Sequence, residues 1–273
     1  YTLSLHDALP ISLDEAREVA LAEIISNYST DLPRVDVLGK PNTVQIKGIG
    51  DSYGYSVQEV RAAAFAGKNL DASKAIAARR GIEAKQNILA FKGDAASGIV
   101  GVFSTGNGVP RYVLPNGAGG TATWATKTAQ EIIDDIGGMH DAIDNLTNSV
   151  EKPDTLMIAS SVYSVLQRTI LSGTAVTVLK FIQDNFAWLK EIISAPELNA
   201  TNTACNPYGA SSGGSNVALL YTNSAEKFSV ETPMPFYQHP AQNKNLEIEV
   251  LCESRVAGAT FYYPYSAIIA VGI

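Results

Sequence analysis

Apolar positions recur along this chain at two spacings. At helical spacing, Ala16, Val19, Ala20, Ile24 and Ile25 form one stripe, which predicts a helix over residues 12–28 that ends at the run Thr30, Asp31, Leu32 and Pro33. Ala75, Ala78, Ile82 and Leu89 form a second stripe, on a helix otherwise dressed with Lys74, Arg79, Arg80 and Lys85. Ile132, Ile136, Met139, Ile143 and Leu146 form a third, narrow enough to predict a seam against a neighbouring helix. At strand spacing, Leu246, Ile248, Val250 and Cys252 alternate with Glu247, Glu249, Leu251 and Glu253, the pattern of a half-buried strand.

Punctuation residues place the ends of these elements. Pro33 to Val37 and Val44 to Lys47 alternate on either side of Gly39, Lys40, Pro41 and Asn42, which predicts a hairpin or long two-stranded loop turning at that run. Ser56 with Glu59, and Thr128 with Glu131, are capping boxes that open helices. Gly67 is placed to stop the first of these, and Asp71 to cap the helix carrying Ala75. Gly137 and Gly138 predict a kink or break in the helix after Thr128. Residues 93–120 are loop-rich, with Gly106-Asn107-Gly108 and a glycine cluster at 116–120. The carboxylates Glu131, Asp134, Asp135, Asp141 and Asp144 read as solvating charge on the remaining faces of the Thr128 helix. That acidic helix is electrostatically suited to lie beside the basic one.

After the turn at Pro153 and Asp154, residues 155–159 read as a buried strand. Ser160 or Ser161 caps a helix carrying Val162, Val165, Leu166 and Ile170, and a second helix carries Val178, Ile182, Phe186 and Leu189. A strand at 191–193 closes a strand-helix-helix-strand order, an α/β module. Strands follow at 217–221, 260–265 and 267–271, with a turn over 255–258 and Pro264 at an edge or bulge.

Composition narrows the class. The 273 residues are 46% hydrophobic and 17% charged, enough for a sizeable core and unlike a disordered chain. The net charge of −7 argues against a dedicated nucleic-acid-binding domain. Cys205 and Cys252 offer neither a disulfide framework nor a metal cluster, a usage that fits a reducing, intracellular setting, and Cys252 reads as a small core residue. No apolar run is long enough to span a membrane.

The first eleven residues, Tyr1 to Ile11, resemble the translation of a short-read sequencing adapter and are set aside from fold reasoning. The expectation is a native protein that begins upstream, so His6 and Asp7 are not candidate functional residues.

Candidate chemistry is sparse. Gly209-Ala210-Ser211-Ser212-Gly213 matches a nucleophile elbow, but that motif needs a strand before it and a helix after it. Here a polar loop precedes and a strand follows, so the run reads as a linker. A Ser211 hydrolase would have to use His140 or His239, which read as surface or packing residues. No phosphate-binding loop ends in Lys-Ser or Lys-Thr. No catalytic, cofactor-binding or metal residue is assigned.

The segment from Pro33 to Gly101 carries a resemblance. Its helix runs into Asn87-Ile88-Leu89-Ala90-Phe91-Lys92-Gly93-Asp94 and then Gly98-Ile99-Val100-Gly101, and the chain closes with Arg255-Val256-Ala257-Gly258, Tyr263-Pro264 and Gly272-Ile273. In this order of elements the chain is similar, over residues 12–273, to tailed-phage major capsid proteins, the Hong Kong 97-type fold shared with encapsulin shells. Val102-Phe103-Ser104 departs from the Leu-Leu-Asn-like run that relatives often have, which weakens placement in a subfamily.

The resemblance implies an α+β fold with a partial N-terminal arm and extended loop (12–55), a peripheral domain with a spine helix (56–154), an α/β axial domain (155–225) and returning strands (226–273). It implies a structural protein, not an enzyme and without cofactors, that self-assembles through hexamers and pentamers into an icosahedral phage head in the bacterial cytoplasm. Its partners would be further copies of itself, packaged DNA held non-specifically, and scaffold, portal and decoration proteins, with no membrane. An encapsulin-like shell around a cargo enzyme is the alternative. Some relatives crosslink a Lys to an Asn; Lys40, Lys47, Asn243 and Asn245 are present, but nothing singles out a pair.

Overall fold

The computed structural model describes residues 11–19, 36–67, 72–210 and 213–273. The arm opens with β1 (Ile11–Val19) and β2 (Asp36–Val44), which pair antiparallel from Ile11 opposite Val44 to Val19 opposite Asp36. This corrects two expectations. Residues 11–19 form a strand, not the start of a helix; the partner strand takes up the backbone groups on one edge of it, and periodicity within one segment carries no trace of that partner. Residues 20–28 lie outside the described residues. Gly39 to Asn42 is not a turn but the middle of β2, where Pro41 stands opposite Asp14. Proline lacks the N–H a central strand would need, and β2 is a ribbon edge. The break comes instead at Gln45 and Ile46, before β3 (Lys47–Ser56).

Helix α1 (Val57–Phe65) is opened by the Ser56–Glu59 capping box, and Gly67 carries the left-handed backbone just past its end. Helix α2 (Ser73–Phe91) follows; its N-cap residue is Ala72, with no side-chain cap, and Asp71 lies outside the described residues. Ala78, Ile82 and Leu89 are its buried positions and Ala75 is half-buried, as the stripe predicts. Short strands β4 (Gly93–Asp94), β5 (Ile99–Val100) and β6 (Arg111–Tyr112) cross the loop-rich stretch.

Helix α3 (Ala129–Thr147) opens on the Thr128–Glu131 box and runs without a break through Gly137 and Gly138. The α/β module is β7 (Thr155–Ala159), α4 (Ser160–Arg168), α5 (Val178–Asn185) and β8 (Glu191–Ala195), with β7 and β8 parallel. The returning strands are β9 (Val217–Tyr221), β10 (Phe228–Glu231), β11 (Met234–Gln238), β12 (Gln242–Lys244), β13 (Glu247–Val256), β14 (Gly258–Phe261) and β15 (Ala267–Val271). Strand β13 runs on through Arg255 and Val256, where a turn was expected, because both still pair with β3. The strand expected over 260–265 ends at Phe261, and Pro264 opens a 3-10 turn.

Three sheets lie beyond the arm. The first has β13 at its centre, with β3 on one edge and β11 and β12 on the other. A small sheet follows the order β10-β14-β5-β4, and a five-stranded sheet the order β6-β15-β9-β7-β8. The long helices serve different sheets. Helix α2 packs on β3 and β13, burying Ala78 and Ile82 against Cys252. Helix α3 packs on β15 and α5, with Ile132, Ile136, Met139 and Ile143 buried in the large core. The α3 seam therefore meets a sheet and a short helix, and α2 is not its partner. A sheet face accepts such a stripe as readily as a helix does, so the period alone does not name the neighbour.

Candidate functional site

Three arrangements among the described residues bear on function: a wrapped helix end, a buried charge pair and exposed apolar side chains around α1.

The helix end explains the segment that carried the resemblance. The carbonyls of Ala90 and Phe91, free at the end of α2, accept from the N–H groups of Val102 and Phe103 at 2.8 and 2.9 Å. Ser104 Oγ donates to Lys92 O and accepts from Gly101 N–H, both at 2.9 Å. The chain returns this closely because residue 101 has no side chain: a Cβ there would overlap the backbone of Lys92 and Gly93. Phe91 and Phe103 stack beside it, with ring centroids 6.0 Å apart.

The charge pair overturns one expectation. Asp135 is not a solvated carboxylate on α3; its side chain is 2% exposed. Lys127 Nζ lies 2.5 Å from its Oδ2, and Trp124 Nε1 donates to the same oxygen at 2.7 Å. Lys127 also donates to Pro115 O at 2.7 Å, so one ammonium ties the loop before α3 to the helix. Burial pushes the Asp135 carboxyl up from its ordinary range, against the pull of Lys127 and Trp124. The sequence held a signal for this: residue 135 stands three after Ile132 and four before Met139, on the seam itself.

Large apolar side chains stand exposed at either end of α1, with Phe65 its last residue and Leu246 just before β13. Helix α1 has no buried residue, Phe65 is 97% exposed, and Leu246 is 78% exposed beside the Val57 N–H bonded to its carbonyl. A nine-residue helix without a buried face has little stability of its own. Strands β1 and β2 pair with no other strand among the described residues.

The hydrolase candidates do not come together on what is described. Ser211 lies outside the described residues. His140 stacks on Trp188 on the α3 side, with centroids 4.3 Å apart, and Asp141 3.6 Å from its Nδ1. His239 stands on the sheet of β13, where its Nε2 meets Glu253 at 3.0 Å. Burial pushes the thiols of Cys205 and Cys252 up, which disfavours the reactive thiolate. Ser161 caps nothing; its own N–H donates to Asn199 Oδ1, which caps α4 from 38 residues away. No helix among the described residues is long and apolar enough to cross a membrane.

Comparison with solved structures defines the fold. The capsid of Myoviridae phage XM1 aligns over 97% of this chain and 86% of its own, with a TM-score of 0.73 at 14% identity. A chain from Mycobacterium phage Bobi aligns over 96% and 85% at 0.56 and 15%, and a virus-like particle from Pyrococcus furiosus over 94% and 86% at 0.55 and 12%. The fold is the α+β, Hong Kong 97-type capsid fold. The family model described as major capsid protein matches residues 21–273, so the chain belongs to the major capsid protein family and is a structural capsid shell protein. A search of curated proteins gave no match.

Proposed function

We propose that this chain builds a closed icosahedral phage head around DNA from hexamers and pentamers of itself, and that it carries no catalytic residue. The observation that supports this reading most is the family match over residues 21–273, together with a β1–β2 ribbon that pairs with no other strand among the described residues and the exposed side chains of Phe65 and Leu246. Exposed apolar ground of that kind marks an interface. In this reading the ribbon and β3 are the extended loop. Helix α2 with the β13 sheet is the peripheral domain, and α4, α5 and the five-stranded sheet are the axial domain at the capsomer centre. Assembly takes place in the bacterial host cytoplasm, with scaffold, portal and decoration proteins as further partners.

Deleting residues 38–44 and closing the gap with Gly-Ser tests the reading. The expected product is a soluble subunit that unfolds cooperatively but forms no large particles in sedimentation. Shells of normal size from the deleted chain would contradict a clasp between subunits; a chain that no longer folds would contradict the assigned architecture.

A further inference from the structure

Helix α1 is fastened at one end. Its hydrogen-bonded ties to other elements among the described residues lie in its first turn, where Val57 N–H donates to Leu246 O at 2.9 Å and Glu59 faces Lys74 of α2. Val57, Val60 and Ala63 are half-buried, and the other residues of the helix are exposed out to Phe65.

Three elements meet at Lys74, in the first turn of α2. Its Nζ donates to Gly54 O of β3 at 2.9 Å. The same ammonium lies 3.4 Å from Glu59 Oε2 of α1 and 4.6 Å from the centre of the Tyr55 ring of β3. Glu59 Oε2 also accepts from Ser56 N–H at 3.0 Å, so the capping box and the tie to α2 converge on one oxygen.

The balance of energies gives this one side chain its weight. Exposed charge pairs contribute little to an element with a core of its own. Helix α2 has such a core: Ala78 and Ile82 pack on Cys252 of β13, with Ile49 and Tyr53 of β3 against them. A nine-residue helix with no buried residue sits near the balance between ordered and frayed, and there a small interaction decides the population.

We infer that α1 orders as a unit separate from the rest of the subunit, and that Lys74 is the positioning residue that holds it, and Phe65 with it, against β3. Presentation of Phe65 to a second copy follows from that. This consequence rests on the shell reading; the separate ordering and the role of Lys74 do not.

The test follows hydrogen exchange at the amides of residues 61–66 in the full chain. Lys74→Met keeps the stem and removes the charge and the donors. It is expected to speed exchange in α1 by about three- to tenfold while β3, the rest of α2 and the melting temperature stay nearly unchanged. Glu59→Gln keeps an acceptor for the capping box and loses the charge, and is expected to act in the same direction. Lys74→Arg, which can reach both acceptors, is expected to restore most of the protection. Unaltered exchange in α1 with Lys74→Met would overturn the role of Lys74. Equal losses in α1, β3 and α2 would overturn the separate ordering. Sedimentation of the same proteins decides the consequence. Fewer particles are expected from Lys74→Met, and a normal yield from a chain whose α1 has lost protection would overturn the presentation of Phe65. If the unaltered chain forms no particles, the shell reading and that consequence fail, while the exchange rates still decide the role of Lys74.

Discussion

Lys127 and Asp135 meet at 2.5 Å with side chains that are 1% and 2% exposed. A buried pair of this kind stabilises little relative to apolar residues, but losing one partner strands the other charge. Asp135→Ala is therefore expected to cost about 3–5 kcal/mol in denaturant unfolding. The double change Lys127→Met with Asp135→Leu is expected to recover most of that. Equal losses in the single and double variants would mean that the pair is not coupled.

Two adjacent glycines in α3 make opposite predictions. A Cβ at Gly137 would meet nothing, so Gly137→Ala is expected to stabilise the helix by about 0.5–1 kcal/mol through backbone entropy. A Cβ at Gly138 would overlap Tyr112 Oη, so Gly138→Ala is expected to cost about 1–3 kcal/mol. Thermal melts of the two variants should move in opposite directions, and Tyr112→Phe should soften the second.

Glu131 supplies a pH test. The Thr128 N–H, at 2.7 Å, and then the Ala118 N–H, also at 2.7 Å, hold its carboxyl below the usual glutamate range. Its folded-state pKa is depressed, so its contribution is complete above the ordinary value of 4.5 and fades as pH falls through the lower folded value. Glu131→Gln is expected to lower the melting temperature at neutral pH and to converge with the unaltered chain in acid. A constant gap across that range would remove the charge from the account.

Phe65 should matter between subunits and not within one. Phe65→Asp removes a side chain that is 97% exposed, so the subunit's stability is expected to stay within about 0.5 kcal/mol. Particle formation in sedimentation is expected to fall sharply. Normal assembly of that variant would take α1 out of the interface.

What could be read from the sequence was what local chemistry determines. The boxes at Ser56 and Thr128 each need only residues three apart, and both are formed. Strands β7, β9 and β15 were legible because two-sided burial leaves unbroken apolar runs. What failed depended on distant partners. Strand β1 acquires its ladder from β2, and α4 acquires its cap from Asn199. Asp135 looked like surface because Lys127 and Trp124, which make its burial tolerable, lie in a loop whose path no periodicity describes. The resemblance reached further than the periods did, since the close return at Gly101 is written in a short glycine-bounded run.

The most direct test of the central claim is electron microscopy of the purified full-length chain at concentrations where capsid subunits assemble. The account predicts closed shells of icosahedral symmetry with hexameric and pentameric capsomers. A preparation that stays monomeric or stops at small open oligomers, while its subunits remain folded, would contradict it.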